Sequence, residues 1–402
     1  MSLIVQKFGG SSVKDAQRIR NVAGIIAETY LEGNDVIVVL SAQGDTTDDL
    51  IEKAMEINLR PSKREMDMLL STGEQISVSL CAMALESMGL PCVSLAAWQV
   101  GIQTNSAHSD ARIRDIDSER VQSELDQHRI VIVTGFQGVD QRGDVTTLGR
   151  GGSDTSAVAM AAAFHADLCQ IYTDVDGVYT TDPRIVPEAR KLEEITYDEM
   201  LEFASQGAGV LHNRSVEMAK KFRVDLEVLS SLERKRGTKV KEVTKVEKTT
   251  ITGVAKDTSI ARVALIGLQH NPGVAFQVFD LLGKHDINVD VILQSIGREE
   301  TKDITFTVHK KDLEEAVDLL NANREALRFD HLETDDKIGK VSIIGVGLMT
   351  NCGMAAKMFE ALYEAGINIQ MINTSEIRVS VLIDEEDVDL AVRSIHAKFF
   401  KD

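Results

Sequence analysis

The stretch LIVQKFGGSS, residues 3–12, places a short apolar run directly before a lysine and a pair of glycines. Glycines let a ligand approach backbone N–H groups closely, and a helix that begins after them favours anions at its N-terminus. Lys7 adds a positive charge to the same turn. The junction predicts a phosphate-binding turn at the C-terminal end of a buried strand, although the pattern alone also fits a plain tight turn.

Short β-branched runs alternate with amphipathic segments from this turn to about residue 230. The predicted strands include 36–40, 130–133 and 226–229, and the predicted helices include 157–166 and 199–203. Strands that alternate with helices form a mainly parallel sheet sandwiched by helices, and ligands bind where the strands end. We therefore predict an α/β fold for this part of the chain.

The C-terminal part contains an internal repeat. The turn at 271–273 (Asn-Pro-Gly) and the turn at 351–353 (Asn-Cys-Gly) are 80 residues apart, and so are the segments 286–289 and 366–369. Each copy has the pattern strand, glycine turn, helix, strand, strand, helix, which is typical of a small α+β, ferredoxin-like domain. Such a duplication can have a purely structural role. Because it follows a complete α/β domain, however, the pattern favours a module for ligand sensing or assembly.

These patterns divide the chain into four parts. We predict a first domain at 1–230, a charged linker at 231–250, and repeat domains at 251–337 and 338–402. A strand near 251–256 could pair with the second repeat domain. The small sheet of each repeat exposes an edge that can pair with another copy.

Composition excludes several classes of protein. The net charge of −19 over 402 residues argues against a general nucleic-acid binder, because phosphate backbones would be repelled. The four cysteines show no C-x-x-C spacing, which fits a reducing compartment. We find neither a signal peptide nor an apolar run that could span a bilayer, and we expect a cytoplasmic protein.

Polar segments at predicted strand ends and glycine turns contain the candidate catalytic and binding residues. They are 39–47, 72–74, 147–154 (TLGRGGSD) and 172–184. The last three have simpler interpretations: Glu74 as a helix-start carboxylate, Arg150 in a salt-bridged glycine turn, and Asp182-Pro183 as a turn initiator. The P-loop pattern, the protein-kinase signatures, a nucleophile elbow and clustered metal ligands are all missing from the sequence. Phosphate contacts are therefore predicted to be spread over several strand ends.

These segments, in this order, resemble the aspartokinase family, which has the amino-acid kinase fold. The stretches 7–13, 146–154 and 172–184 resemble its signatures, and the repeat, with 373–377 as a further hallmark, resembles its paired ACT domains. The resemblance covers essentially the whole chain and is greatest for the monofunctional, lysine-sensitive type. It implies an amino-acid kinase sheet followed by two ACT domains.

The resemblance also implies an activity. The enzyme would transfer the γ-phosphate of ATP to the β-carboxylate of L-aspartate, giving 4-phospho-L-aspartate, the first step towards lysine, threonine, methionine and diaminopimelate. ATP would be used with Mg²⁺, without a tightly bound prosthetic group or a metal held by the protein. Lysine, alone or with threonine, would inhibit through the ACT domains. The chain would form a dimer or a dimer of dimers through these domains and would bind neither nucleic acid nor membrane.

Roles for individual residues follow from their match to the family motifs. The catalytic residues would be Lys7 and Asp154. The ATP-binding residues would be Lys7, Phe8, Gly9, Gly10, Ser11, Thr173, Asp174, Tyr179, Asp182, Arg184, Gly209 and Val210. The aspartate-binding residues would be Ser41, Thr47, Glu74, Arg150, Gly151, Gly152 and Ser153, with Arg150 on the α-carboxylate and Glu74 near the ammonium. The effector-binding residues would be Asn271, Pro272, Gly273, Val274, Ala275, Asn288, Asp290, Gln294, Asn368, Ile369, Thr374 and Ser375.

Three residues depart from the family pattern. Ser11 replaces the usual Thr, Asn213 stands where many relatives have Pro, and Cys352 replaces the Pro before Gly353, so that the second effector turn could have lost affinity. Two other functions remain open. The chain could be another amino-acid kinase, such as a glutamate 5-kinase, acetylglutamate kinase or UMP kinase. It could also be a catalytically silent amino-acid sensor.

Overall fold

The computed structural model describes residues 2–207, 209–242, 251–269, 271–296, 301–348 and 351–401. The chain divides into two compact units. The first comprises the described residues of Met1–Tyr179, Lys191–Ser205 and Gly209–Glu247. The second comprises those of Thr180–Arg190, Gln206–Ala208 and Lys248–Asp402.

The first unit alternates strands and helices, as the apolar pattern predicts. Its strands are β1 Leu3–Phe8, β2 Asp35–Leu40, β3 Cys92–Leu95, β4 Ile102–Thr104, β5 Ile113–Ile116, β6 Ile130–Thr134, β7 Gln137–Val139, β8 Val145–Thr147, β9 Leu168–Thr173, β10 Glu194–Thr196, β11 Leu226–Ser230 and β12 Thr238–Lys241. Its helices are α1 Ala16–Leu31, α2 Thr46–Ile57, α3 Lys63–Leu70, α4 Thr72–Ser87, α5 Ala97–Val100, α6 Glu119–Leu125, α7 Gly152–Ala163, α8 Tyr197–Ser205 and α9 Asn213–Phe222.

The main sheet of this unit has the order β10-β12-β11-β9-β1-β2-β6-β3. Its central strands are parallel and only the β11–β12 pairing is antiparallel. Both faces of β2 are covered, since Val36–Leu40 are fully buried, which explains why this strand is a continuous apolar run. The predicted α/β class with a mainly parallel sheet is confirmed.

Two features of the first unit escaped the sequence analysis. A second small sheet has the order β5-β4-β7-β8. Strand β12 lies inside the predicted linker but pairs with β10 and β11, because its alternate residues Thr238 and Val240 are buried. The rest of the linker, residues 243–250, lies outside the described residues.

A long apolar helical stretch runs through α3 and α4, at Lys63–Ser87. By length and composition it could span a membrane, which the sequence analysis had not anticipated. Half of it is buried within the protein. Val78, Cys81 and Leu85 of α4 pack in the main core of the first unit. The core helix of a globular domain has these properties too, so the stretch is weak evidence for a membrane span.

The second unit contains the repeat. Its strands are β13 Gly253–Asp257, β14 Ile260–Gln269, β15 Val289–Ile296, β16 Thr301–His309, β17 His331–Asp335, β18 Ile338–Ile344, β19 Met371–Thr374 and β20 Arg378–Asp384. Its helices are α10 Val274–Gly283, α11 Leu313–Ala322, α12 Arg324–Leu327, α13 Met354–Glu364 and α14 Val388–Phe400.

Each repeat forms a four-stranded antiparallel sheet, but the two sheets are completed differently. The first has the order β15-β16-β14-β17 and uses strands that are contiguous in the sequence. The second has the order β13-β18-β20-β19, and β13 precedes the whole first repeat. A small apolar cluster that includes Ile260, Val291 and Leu382 joins the two repeats.

The segment 180–190 packs within the second unit, although its sequence continues the polar segment 172–184. Val254 N–H donates to the carbonyl of Thr180 at 2.7 Å, and the Thr180 hydroxyl lies 2.9 Å from Nε2 of His396 on α14. Val186 is buried in the core of the second repeat. The division of the chain therefore differs from a single boundary at residue 230.

Candidate active site

The turn after β1 is tied to the strand ends on both sides of it. Gly9 N–H donates to the carbonyl of Tyr172 at the end of β9, and Ser41 N–H, just after β2, donates to the carbonyl of Phe8. A Cβ atom on Gly10 would lie 2.8 Å from the carbonyl oxygen of Ala42. Only glycine fits this approach, which explains Gly10, the second of the paired glycines of the opening stretch.

Lys7 and Asp154 form an ion pair at this turn. Lys7 Nζ lies 2.6 Å from Asp154 Oδ1, and the two side chains are 11% and 12% exposed. Lys7 comes from β1, and Asp154 lies in the first turn of α7. The pair brings together the two residues that the sequence analysis assigned to catalysis.

Helix α7 starts at this pair and has no side-chain cap. Gly151, in the left-handed conformation with φ of 67°, is the N-cap residue and makes no capping hydrogen bond through a side chain. A Cβ on Gly151 would lie 2.2 Å from the His212 ring. Gly152 N–H donates to the carbonyl of Gly149 at 3.0 Å, but no side chain caps the N–H groups that follow it in the first turn, and these can receive an anion. Arg150, whose side chain is exposed, comes directly before this turn.

Glu74 is buried close to the end of β2. Its carboxylate accepts hydrogen bonds from Ala42 N–H at 3.1 Å and from Gln137 Nε2 at 3.4 Å, and the residue is only 2% exposed. Burial dominates over these hydrogen bonds and raises the pKa of Glu74 to about 8. A ligand ammonium would supply the positive charge that this carboxyl group lacks.

The predicted nucleotide residues are divided between the two units. In the first unit, Thr173 donates to Asp174 Oδ1, and Tyr179 donates to Asp176 at 2.7 Å. Burial and this hydrogen bond raise the pKa of Tyr179 to about 12, so the phenol stays protonated. Asp182 and Arg184 belong to the second unit, where they form a bidentate ion pair, and their proximity to Lys7 stays a prediction.

Other predicted residues lie at the same rim of the first unit or next to α9. Ser41 follows β2, and Thr47 is in the first turn of α2. Gly209, with φ of 65°, and Val210 precede α9. Ser11 lies in a one-turn 3-10 helix, Gly10–Ser12, whose neighbour Ser12 donates to Ser231 at 2.7 Å. The roles of these residues stay predictions.

The predicted effector turns have nearly identical backbones. Gly273 and Gly353 are the N-cap residues of α10 and α13, with φ of 95° and 90°. The backbones therefore agree at these two glycines, and the effect of Cys352 on effector affinity stays a prediction. The other predicted effector residues that are exposed include Asn288, Asp290, Gln294, Asn368, Thr374 and Ser375.

Asp290 already has a partner within the second unit. Lys340 on β18 is 1% exposed, and its ammonium group forms an ion pair with Asp290 on β15. Asp257 lies 3.9 Å from the same nitrogen. The sequence analysis did not anticipate Lys340, because a lysine inside an apolar strand carries no turn or motif signal.

Two further charged residues hold the turn that carries Arg150. Asp67 on α3 accepts hydrogen bonds from Thr147 and Ser109, and Arg214 on α9 donates to the carbonyl of Leu148. Sequence reasoning missed both residues. Asp67 lies in mid-helix 80 residues before Thr147, and only the tertiary fold reveals their contact.

Comparison with known proteins gives both units a family. Residues 2–230 match the amino acid kinase family, and residues 263–323 and 341–399 match the ACT domain. An aspartokinase from Bacillus sp. (strain MGA3) is 49% identical over 400 residues, covering 99% of this chain and 97% of that protein.

Solved structures agree. The chain matches E. coli aspartokinase III in complex with aspartate and ADP (R-state) with a TM-score of 0.84 at 27% identity, covering 99% of this chain and 100% of that one. The same enzyme in complex with lysine and aspartate (T-state) gives a TM-score of 0.77 at 27% identity and the same coverage.

The family match over residues 2–230, on a parallel sheet with glycine turns at its rim, defines an ATP-dependent phosphotransferase of the amino acid kinase class. The sequence identity of 49% to an aspartokinase, over nearly the full length, identifies the family within this class. The chain belongs to the aspartokinase family, whose members use ATP to phosphorylate aspartate. The resemblance found in the sequence is thereby confirmed.

Proposed function

We propose that Lys7 stabilises the phosphoryl group during its transfer from ATP to the β-carboxylate of aspartate, with Asp154 positioning Lys7. The carboxylate oxygen forms a bond to the γ-phosphorus while the bond to the β,γ-bridging oxygen breaks and ADP leaves with the electron pair. The attacking carboxylate is ionised at pH 7, so a general base is not needed. Electrostatic stabilisation and positioning then account for most of the catalysis.

The observation that carries this proposal is the 2.6 Å Lys7–Asp154 pair at the uncapped start of α7. A cation, free N–H groups and glycine backbone lie at one rim of the sheet, which is what a transferring phosphoryl group requires. The aspartate and ADP held by E. coli aspartokinase III support the same pair of substrates here.

For aspartate, we propose that Arg150 binds the α-carboxylate and that Glu74 binds the ammonium. Ser41, Thr47, Gly151, Gly152 and Ser153 complete this proposed site, in which the N–H group of Gly152 is already used in a hydrogen bond to the carbonyl of Gly149. An arginine can grip a carboxylate with two parallel hydrogen bonds. An ammonium beside Glu74 would offset the cost of its buried negative charge.

For the nucleotide, the proposed contacts are Phe8, Gly9, Gly10, Ser11, Thr173, Asp174, Tyr179, Asp182, Arg184, Gly209 and Val210. Magnesium would enter as part of the substrate, MgATP, since Mg²⁺ is commonly bound by substrate phosphates and few protein carboxylates. Within the described ranges, no three His, Cys, Asp or Glu side chains are grouped so that they could hold a metal ion.

Regulation is proposed to reside in the second unit. The N–H groups after Gly273 and Gly353 can receive an effector carboxylate, and lysine bound to E. coli aspartokinase III in its T-state supports lysine as the effector. The effector ammonium would have to share Asp290 with Lys340 or displace it. Lysine, alone or with threonine, would then favour an inactive state of the kinase.

Assembly is proposed to use the free edges of the two small sheets. Strands β15 and β19 are edge strands, and Ile292 and Ile372, which are 80 residues apart, are 53% and 48% exposed on them. Exposed apolar side chains on an unpaired edge favour pairing with a second copy. Light scattering would show a dimer or tetramer, and a monomer at micromolar concentration would contradict the proposal.

A hydroxamate assay with MgATP and aspartate tests the catalytic proposal, since hydroxylamine traps an acyl phosphate. Aspartyl hydroxamate should form, and its rate should fall when lysine or threonine is added. Glutamate and UMP, assayed for phosphorylation beside aspartate, test for another amino-acid kinase. Absence of ATP turnover with all three acceptors would support a catalytically silent sensor. If lysine and threonine, singly and together, change neither the rate nor the melting temperature, the regulatory proposal fails.

The proposed location is the cytoplasm. All four cysteines are free thiols, and burial raises the pKa of Cys81 to about 12, which keeps this thiol unreactive. Fractionation of cells would test the location directly.

A further inference from the structure

Asp67 is fully buried, and both of its carboxylate oxygens are used. Oδ1 accepts hydrogen bonds from the hydroxyl of Thr147 at 2.6 Å and from the N–H of Ser109 at 3.1 Å. Oδ2 accepts from the N–H of Thr147 at 3.1 Å and lies 2.9 Å from Nδ1 of His108. A buried carboxylate with this many partners fixes the backbone that supplies them.

The backbone of residues 147 and 148 is held on every side. The carbonyl of Thr147 accepts from the N–H of Ala111, and the N–H of Leu148 donates to the carbonyl of Phe136. Arg214 donates to the carbonyl of Leu148 at 2.8 Å and to that of Ala111 at 2.6 Å. The chain is therefore immobilised up to the residue before Gly149.

Arg150 follows two residues after this immobilised segment, between two glycines with positive φ of 78° and 67°. Glycines on both sides leave the backbone around Arg150 with few conformational restraints of its own. Gly152 N–H donates to the carbonyl of Gly149 at 3.0 Å, so the turn around Arg150 closes directly after the anchored residues, and these set the direction in which the arginine leaves the sheet.

Helix α3 connects this anchor to Glu74. Asp67 lies in α3, and Glu74 lies in the first turn of α4, which begins at Thr72, two residues after α3 ends. One pair of helices thus carries the carboxyl group assigned to the substrate ammonium and also anchors the turn of the arginine assigned to the substrate α-carboxylate. The distance between these two groups determines whether a bound amino acid is held at both ends.

We propose that Asp67 is a positioning residue for aspartate: through Thr147 it fixes the turn that places Arg150 at the correct distance from Glu74. Arg214 supports the same turn through its hydrogen bond to the carbonyl of Leu148. This inference rests on the proposed role of Arg150 in binding aspartate.

Replacement of Asp67 by Asn tests the inference. Ser109 N–H is shared between the two oxygens of Asp67, at 3.1 Å from Oδ1 and 3.0 Å from Oδ2, and Thr147 N–H donates to Oδ2. An asparagine therefore removes the negative charge that strengthens these hydrogen bonds, and its NH₂ group requires the Thr147 hydroxyl to accept instead of donate. The KM for aspartate of Asp67→Asn should rise about tenfold, while the KM for MgATP should change less than about twofold. Asp144→Asn is the matched control, because Asp144 bonds an exposed arginine, Arg64, on the same helix and should leave both constants unchanged.

A double-mutant cycle with Arg150→Ala separates positioning from a general loss of structure. Arg150→Ala alone should raise the KM for aspartate, and adding Asp67→Asn should then change it less than about twofold, since the arginine through which Asp67 acts is gone. If the two effects multiply, or if both KM values rise together in Asp67→Asn, the inference is overturned.

Two outcomes distinguish failure of the inference from failure of the proposed site. If Arg150→Ala raises the KM for aspartate and a folded Asp67→Asn does not, only the positioning role is wrong. If Arg150→Ala leaves this KM unchanged, the role of Arg150 is wrong and the inference fails with it.

If the Asp67→Asn variant does not fold, substitutions of Thr147 test the inference instead. Thr147→Val removes the 2.6 Å hydroxyl hydrogen bond and should raise the KM for aspartate selectively, whereas Thr147→Ser keeps a hydroxyl and should lie closer to wild type. Equal KM values for aspartate in the two variants would overturn the inference.

Discussion

A lysine is paired with an aspartate in each unit, but the surroundings of the two pairs differ. Lys7 ends a parallel strand, beside glycine turns and the open start of α7. Lys340 lies inside the antiparallel strand β18, covered from solvent and near two carboxylates, Asp290 and Asp257. The same two side-chain types therefore meet at the end of a strand, beside glycine turns, and inside a sheet, where the lysine is covered although Asp290 is exposed.

The comparison shows in which surroundings a buried charged side chain can take part in ligand binding. At the end of a parallel strand, the backbone beyond the lysine is free to bind an incoming anion. Inside an antiparallel strand, the neighbouring backbone groups are already used in the sheet, so the charge can only stabilise or constrain the fold. We expect substitutions of Lys7 to affect turnover and substitutions of Lys340 to affect stability.

The largest expected effect is that of Lys7→Ala. Loss of the cation at the transferring phosphoryl group should lower kcat by about two orders of magnitude or more, equivalent to about 2.7 kcal/mol, while ATP binding falls less. Steady-state kinetics measures both. Lys284→Ala removes an exposed lysine paired with Asp280 in the second unit and serves as the control. Near-wild-type turnover of Lys7→Ala would remove this lysine from the mechanism.

Lys340→Met should lower the stability of the protein and leave its turnover nearly unchanged, the reverse of what is expected for Lys7→Ala. Methionine keeps the apolar volume but leaves Asp290 and Asp257 without the buried ammonium, so the free energy of unfolding should fall by about 1–3 kcal/mol. Denaturant titration measures the loss, and kcat without effector should stay within about twofold of wild type. A variant as stable as wild type would show that this pair contributes nothing to the fold.

A third prediction concerns the pH dependence of Glu74. Because its pKa is about 8 before substrate binds, only the minor ionised fraction can receive an ammonium at pH 7. The KM for aspartate should therefore fall roughly fivefold between pH 7 and pH 8. Glu74→Gln should have a higher KM that is flat over this range, and a flat profile in the wild type would contradict the assignment.

The ionisation of Glu74 should also lower the stability of the protein. A rise in pH should therefore improve aspartate binding but decrease the free energy of unfolding. The folded state holds the proton of Glu74 more tightly than the unfolded chain does, since the pKa rises from 4.5 to about 8 on folding. The contribution of Glu74 to the free energy of unfolding therefore decreases as the pH rises from about 4.5 to about 8. Glu74→Gln should remove this part of the pH dependence.

The smallest expected effects are those of Gly273→Ala and Gly353→Ala. A Cβ atom at either residue meets nothing within 4 Å, so only the cost of a positive φ remains, about 1 kcal/mol in each case. Equal shifts in melting temperature would show that the two turns are conformationally equivalent. A much larger shift at one turn would break that equivalence, and the lysine response of each variant would show which turn binds the effector.

The sequence analysis located those parts of the site in which the backbone requires a glycine. The turns at Gly10 and Gly151 were predictable because a close backbone contact at the first and a positive φ at the second demand glycine, and Lys7 and Asp154 lie near them. The parallel sheet was predictable because its strands are buried on both faces and are therefore continuously apolar. The regions around Glu74 and Arg150 were located for the same reasons.

The remainder depends on tertiary contacts without a local signal. Asp67 and Lys340 lie within regular elements, and their partners are far away in the sequence. The second-unit placement of residues 180–190 was hidden because the segment continues a polar loop of the first unit. The pKa of Glu74 could not be predicted either, because it depends on how completely the folded chain excludes water from that carboxyl group.

The position of β13 has a consequence for protein synthesis. This strand leaves the ribosome before the whole first repeat, yet its partner β18 emerges only afterwards. During that interval β13 has an unpaired edge, while the first repeat already has every strand of its own sheet. Once residue 337 has left the ribosome, the nascent chain therefore holds every strand of the first small sheet together with one unpaired strand, β13, and a chaperone that covers exposed strand edges would act at this stage.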